Sequence, residues 1–124
     1  MPRSAIRIAV VDDDASVRKA LARLLTASSF DTRTYGSARE FMASGTVRPP
    51  QCLVLDLHMP ELSGLDLQHQ LRRAGINIPT IIVTAHNEPG LRERCQSAGA
   101  SAFLLKPLHQ ASLVGAINTA IEQG

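Results

Sequence analysis

The stretch Gln51-Cys52-Leu53-Val54-Leu55-Asp56-Leu57-His58-Met59-Pro60 decides the fold. Cys52 to Leu55 form an unbroken apolar run, bounded by Pro49-Pro50 before it and by Pro60 and Gly64 after it. An apolar run of this length between turn-forming residues predicts a strand buried on both faces. Such burial belongs to a parallel sheet covered by helices on each side. Asp56 stands where the strand leaves the sheet, and open parallel sheets bind ligands outside the carboxyl ends of their strands. The aspartate is therefore placed like a reactive group.

Toward the N-terminus, Ile6 to Val11 predicts a first strand, followed at once by Asp12, Asp13 and Asp14. Val17, Ala20, Leu21, Leu24 and Leu25 then recur at helical spacing, with Arg18, Lys19 and Arg23 on the other face and Asp14 as N-cap. Phe30 to Tyr35 alternates as an exposed edge strand does. Ser37, with Glu40 three residues on, gives a capping-box signature for a short helix whose stripe is Ala38, Phe41 and Met42. Residues 44–50 read as loop.

Toward the C-terminus, Ser63 caps a helix with Leu67, Leu71 and Ala74 inward and Gly75 as its stop, while Asp66 is expected to face solvent. Ile78 to Val83 is the next strand, with Thr84 at its end. Leu91, Cys95 and Ala98 mark a weaker helix, and Pro89 and Gly90 delay its start. Ala102 to Leu105 is the last strand, ended by Lys106-Pro107, and Leu113, Val114, Ile117, Ala120 and Ile121 form the final stripe. Five strand–helix pairs predict an α/β fold with a parallel sheet and helices on both faces.

The bulk properties agree. The 124 residues suit a single domain over 1–124, with residues 1–5 expected as a flexible arm and no second domain expected in this chain. A hydrophobic fraction of 44% and a charged fraction of 19% exclude a disordered chain. A net charge of +2 gives no reason to expect a nucleic acid or a membrane surface as partner. Cys52 and Cys95 lie in a core strand and on a helical stripe, which is neither a disulfide nor a metal framework, so a reducing cytoplasm is expected. The opening Met-Pro-Arg-Ser lacks a signal peptide's apolar region, and no run approaches membrane-spanning length.

Polar groups follow four of the strands at what should be one rim: Asp12 and Asp13, then Asp56, Thr84 and Lys106. Gathered carboxylates raise each other's pKa unless a cation compensates. A hard divalent ion such as Mg2+, held by one or two carboxylates and several waters, meets that need. Together these are the parts for phosphoryl transfer onto Asp56, with Mg2+, Thr84 and Lys106 neutralising the transferring oxygens. Plainer roles stand beside these. Asp14 reads as a helix cap, Phe103 as core, and Thr84 or Lys106 alone as an ordinary strand-end residue. His58, His69, His86 and His109 lack close metal-ligand spacing, so no zinc site is expected. Arg92 and Arg94 read as a solvated helix face or a partner surface.

Four segments then carry a family resemblance. Val10 to Asp14, Leu53 to Gly64 (Leu-Val-Leu-Asp-Leu-His-Met-Pro-Glu-Leu-Ser-Gly), Ile82 to Ala85 and Phe103 to Pro107 resemble, in that order, the receiver domain of bacterial two-component response regulators. The sequence is most similar to the branch related to the nitrogen-fixation regulator FixJ. The resemblance implies five parallel strands in order 2-1-3-4-5 and a phosphohistidine on a sensor histidine kinase as donor. It implies Asp56 as phosphoacceptor and Asp12 and Asp13 as the acidic pair for Mg2+ (or Mn2+), Asp13 binding directly and Asp12 largely through water. The backbone carbonyl of His58 would be a further ligand, Thr84 and Phe103 the switch pair, Lys106 the phosphate contact, and Lys106-Pro107 a cis peptide.

Phosphorylation would draw Thr84 inward, let the Phe103 ring turn in, and change the surface of the fourth helix, fifth strand and fifth helix. His58 and His86 occupy positions that tune dephosphorylation in this family. The implied output is transcription through an output domain or partner protein, with a homodimer forming on phosphorylation. No direct nucleic-acid contact, no membrane contact and no catalysis beyond its own phosphorylation and dephosphorylation are expected of this chain. Three rivals are weaker. A pseudo-receiver, acting only as a protein-binding module, has no need of the intact acid set. A haloacid-dehalogenase-type phosphatase needs a second acid where His58 stands. A nucleotide-binding module needs a glycine-rich loop after the first strand.

Overall fold

The computed structural model describes residues 5–123, so the expected N-terminal arm, apart from Ala5, lies outside the described residues. The elements run β1 (Arg7–Val11), α1 (Ala15–Ala27), β2 (Asp31–Tyr35), α2 (Ala38–Glu40), β3 (Cys52–Asp56), α3 (Gly64–Arg73), β4 (Thr80–Thr84), α4 (Leu91–Ser97), β5 (Ala102–Leu105) and α5 (Gln110–Gln123). The strands form one sheet in the order β2-β1-β3-β4-β5, and every pairing is parallel. Among the described residues no helix is long and apolar enough to cross a membrane.

Alternation along the strands sorts the apolar side chains into two layers. Ile8, Val10, Cys52, Val54, Ile81 and Val83 face α1 and α5, where Leu21, Leu25, Leu113 and Ile117 cover them. Ala9, Val11, Leu53, Leu55, Ile82 and Phe103 face the opposite side, packed with Phe41, Leu67, Leu71, Leu91 and Cys95. Both β3 and β4 are buried along their whole length, which fits the apolar runs Cys52–Leu55 and Ile81–Val83 within them. The edge strand β2 is largely exposed, as its alternation predicts.

Several local details differ from expectation. β4 begins at Thr80 rather than Ile78, because Pro79 has no N–H to donate and joins the ladder only through its carbonyl, which accepts from Leu53 N at 2.9 Å. The Ser37 side chain caps Glu40 N, but the Glu40 carboxylate reaches back past the Ser37 N–H to Gly36 N at 2.8 Å, so the box is not reciprocal. Past Glu40 the helix widens into a π-helical turn over Phe41–Gly45, where a loop was expected from residue 44. The reciprocal box belongs to α3: Ser63 caps Asp66 N, and the Asp66 carboxylate accepts from Ser63 N at 3.1 Å. Asp66 is therefore exposed but structural, and these hydrogen bonds hold its carboxyl below the ordinary aspartate pKa. α4 does start late, at Leu91, after Gly90 takes a left-handed φ of 78°.

Candidate functional site

Strand register builds the site. Val11 pairs with Leu55, so the next residues, Asp12 and Asp56, leave neighbouring strands together. Asp56 pairs with Val83, which puts Thr84 one step beyond it, and Thr84 pairs with Leu105, so Lys106 follows at the same rim. The lysine stem spans the ends of β4 and β3. Its Nζ donates to Asp12 Oδ2 at 2.9 Å and to Asp56 Oδ1 at 3.4 Å. The Lys106-Pro107 peptide is cis, as the resemblance implied. Oxygens of Asp12, Asp13 and Asp56 lie within 4.8 Å of one another. Asp12 is fully buried and Asp56 is 6% exposed, whereas Asp13 faces solvent.

Asp12 is held on every side. Its Oδ1 accepts from Asp14 N at 2.9 Å, its own N–H reaches Tyr35 O at 3.1 Å, and its carbonyl accepts from the Arg18 guanidinium at 2.7 Å. Arg18 was expected on the solvent face of α1. Instead it turns back one helical turn to fasten the loop that presents the acids. Only its offset from the Asp14 cap could have signalled this. Asp14 itself is the N-cap, accepting from Ser16 N and Val17 N.

Three carboxylates against one ammonium leave the rim short of positive charge. Burial raises the Asp56 pKa above the ordinary 3.8, and the neighbouring Asp12 adds to that, while Lys106 pulls the other way. Burial also works against the Lys106 charge, but its hydrogen bond to Asp12 and the attraction of Asp56 outweigh it, so its pKa lies above 10.5. The donor set, all hard oxygen and partly open to solvent through Asp13, fits Mg2+ or Mn2+.

The raised Asp56 pKa has a stability consequence. Between pH 3.8 and the higher folded value the folded state binds the extra proton, so stability falls as pH rises through that window. Asp56→Asn, which removes the charge but keeps the shape, is expected to stabilise the metal-free domain at neutral pH by ~0.5–2 kcal/mol. The gain should vanish below pH 3.8, where the wild-type carboxyl is protonated in both states. Urea denaturation in EDTA at neutral and acid pH reads it, and an unchanged or lower stability at neutral pH would contradict it.

The remaining predicted residues lie just outside this pocket. Thr84 is fully buried, and its Oγ1 accepts from His86 N at 3.1 Å. The Phe103 ring is already inward, 5% exposed, with the Arg92 guanidinium 4.9 Å from its centroid. An inward ring and an engaged Thr84 hydroxyl therefore coexist, and Arg92 is more than a solvated residue. His58 and His86, far apart in sequence, bring their rings edge to face with centroids 4.2 Å apart. With Glu88 they place one ligand atom each within 4.8 Å of the others, so the expectation that the histidines lack metal-ligand spacing fails in three dimensions. Cys52 and Cys95 are buried free thiols, and burial pushes the Cys52 thiol up to about 12, so it is unreactive.

This fold, with acids and a lysine converging at the strand ends, defines a CheY-like α/β signalling domain. Residues 8–118 match the response regulator receiver domain, and the chain belongs to that family. It is 40% identical over 114 residues to nodulation protein W of Bradyrhizobium diazoefficiens, covering 92% of this chain and 50% of that protein. It is 37% identical over 113 residues to the transcriptional regulatory protein FixJ of Rhizobium meliloti, covering 91% of this chain and 55% of that one. The crystal structure of FixJ-N matches with a TM-score of 0.90 at 34% identity, covering 98% of each chain. The chain thus spans about half the length of the curated relatives it matches.

Proposed function

We propose that Asp56 accepts a phosphoryl group from a phosphohistidine on a sensor histidine kinase, which makes this receiver the phosphorylation-dependent switch of a two-component system. The observation that supports this most is the convergence at Asp56, where Lys106 Nζ stands 3.4 Å from Oδ1 and the Asp12 and Asp13 oxygens lie within 4.8 Å. An Asp56 oxygen attacks phosphorus. The P–N bond to the kinase imidazole breaks as the acyl-phosphate P–O bond forms, and the imidazole leaves with a proton from solvent. Lys106 pairs with an incoming phosphoryl oxygen, and Thr84, whose Oγ1 accepts from His86 N but keeps its own proton to donate, turns its hydroxyl toward another.

Asp13, Asp56 and the His58 backbone carbonyl would hold Mg2+ (or Mn2+), with Asp12 acting largely through water. The ion supplies positive charge to the transferring oxygens. Movement of Thr84 alters the packing of Phe103 and Arg92, and with it the α4-β5-α5 surface. That surface controls an output domain or partner protein in the cytoplasm, including formation of a homodimer. Transcription is the output favoured, because FixJ is a transcriptional regulatory protein. The chain itself makes no nucleic-acid contact in this reading.

Intact mass after incubation with acetyl phosphate tests the proposal. One labile phosphoryl adduct is expected with Mg2+, absent without it and absent in Asp56→Asn. No adduct on a wild-type protein shown to bind Mg2+ would overturn it in favour of a pseudo-receiver that works as a protein-binding module.

A further inference from the structure

We infer that the His58, His86 and Glu88 side chains form a second metal site, built from atoms that the acidic pocket does not use and suited to a borderline first-row divalent ion such as Zn2+. His58 lies between β3 and α3, and His86 and Glu88 lie between β4 and α4. One ligand atom from each falls within 4.8 Å of the other two, and all three side chains are exposed. In a formed zinc site each ligand sits about 2.0–2.2 Å from the ion. Being exposed, the three side chains retain rotamer freedom with which to adjust toward an ion.

Donor chemistry separates the two sites. Two imidazoles and a carboxylate suit zinc and its neighbours, with water completing the shell, whereas the all-oxygen set of Asp12, Asp13 and Asp56 suits Mg2+. Mg2+ has little affinity for imidazole, so both ions can be present without exchanging places.

The position of the site gives it a mechanical consequence. An ion there ties the β3–α3 loop to the β4–α4 loop, across the rim that holds Asp56. It also fixes the residue whose N–H occupies Thr84 Oγ1, so zinc holds the Thr84 hydroxyl in its present engagement. The inference concerns binding alone and does not rest on phosphorylation of Asp56.

The test is calorimetric titration of Zn2+ into the full chain in saturating Mg2+. One Zn2+ per chain is expected for the wild type. Loss of supporting partners alone weakens metal sites about 10–100-fold, so loss of a direct ligand in His58→Ala, His86→Ala or Glu88→Gln should weaken binding at least ~10-fold. Asp13→Asn should leave Zn2+ binding in place. Wild-type imidazole NMR signals give a reading that needs no variant: those of His58 and His86 should shift with Zn2+, and those of His69 and His109 should not. The inference is overturned if the wild type binds no Zn2+, if both histidine variants bind it as the wild type does, or if Asp13→Asn abolishes binding.

Discussion

Lys106→Met is expected to cost the domain about 3 kcal/mol, the scale seen when one partner of a buried ion pair is removed and the other stays charged. The Asp12 side chain is 1% exposed and the Asp56 side chain 8%, so neither carboxylate can recover its lost partner by turning to water. Methionine keeps most of the stem's packing and isolates the loss of charge. The lysine's contribution is present throughout the neutral range and fades only as pH rises past 10.5 toward its raised folded value. Adding Asp12→Asn to Lys106→Met should recover much of the loss, because the two side chains bond directly at 2.9 Å and their effects are not additive. Phosphoryl acceptance by the single variant should also fall ~10²–10³-fold, the usual cost of removing one charge-stabilising donor. Urea denaturation of the four proteins in the cycle, in EDTA, measures the coupling. Additive effects would show that Lys106 does not stabilise the fold through its bond to Asp12.

Gly64→Ala should come next in severity. A Cβ on Gly64 would stand 2.6 Å from the Asp56 carbonyl oxygen and 3.1 Å from Leu57 Cα, both backbone atoms with no rotamer to change. Gly64 N already donates to Leu57 O at 3.0 Å, so the start of α3 is pinned against the end of β3. Alanine must push the two apart, at a cost of about 2–3 kcal/mol. The strand end that yields is the one carrying Asp56, and misplacement near 1 Å costs about 10²-fold in a positioned reaction. Slower adduct formation from acetyl phosphate should therefore accompany the lower denaturation midpoint. Gly115→Ala is the matching control: nothing lies within 4 Å of its Cβ, and in the interior of α5 alanine should stabilise by ~0.5–1 kcal/mol. Equal behaviour of the two variants would remove the contact with Asp56 as the explanation.

The sheet was legible because its cause is local. Strands buried on both faces must be apolar throughout, and Cys52 to Leu55 and Ile81 to Val83 are. The rim residues could be found for a related reason: each ends a strand or follows one directly, so parallel register alone carries Asp12, Asp56, Thr84 and Lys106 to one side. What escaped detection depends on side-chain reach or on loops meeting across the sheet. Arg18 looked like a solvated helix residue because its periodic position is polar, and only the fold of the loop before it makes it a fastener. Asp66 does face solvent as expected, but its bond to the cap three residues earlier was not foreseen. His58 and His86 share no periodicity, since the two connections that carry them become neighbours only when β3 and β4 pair.

The bond between Lys106 and Asp12 joins residues 94 positions apart. During synthesis from the N-terminus, both buried acids are made long before the cation that balances them. A chain stalled before residue 106 holds a rim of carboxylates with no lysine among them, and that rim resists being buried. Docking of β5 against β4 brings Lys106 to the rim and supplies the missing charge. Charge balance at the rim thus waits on the fifth strand, and a copy that stops short of it has the acids without the lysine that pairs with them.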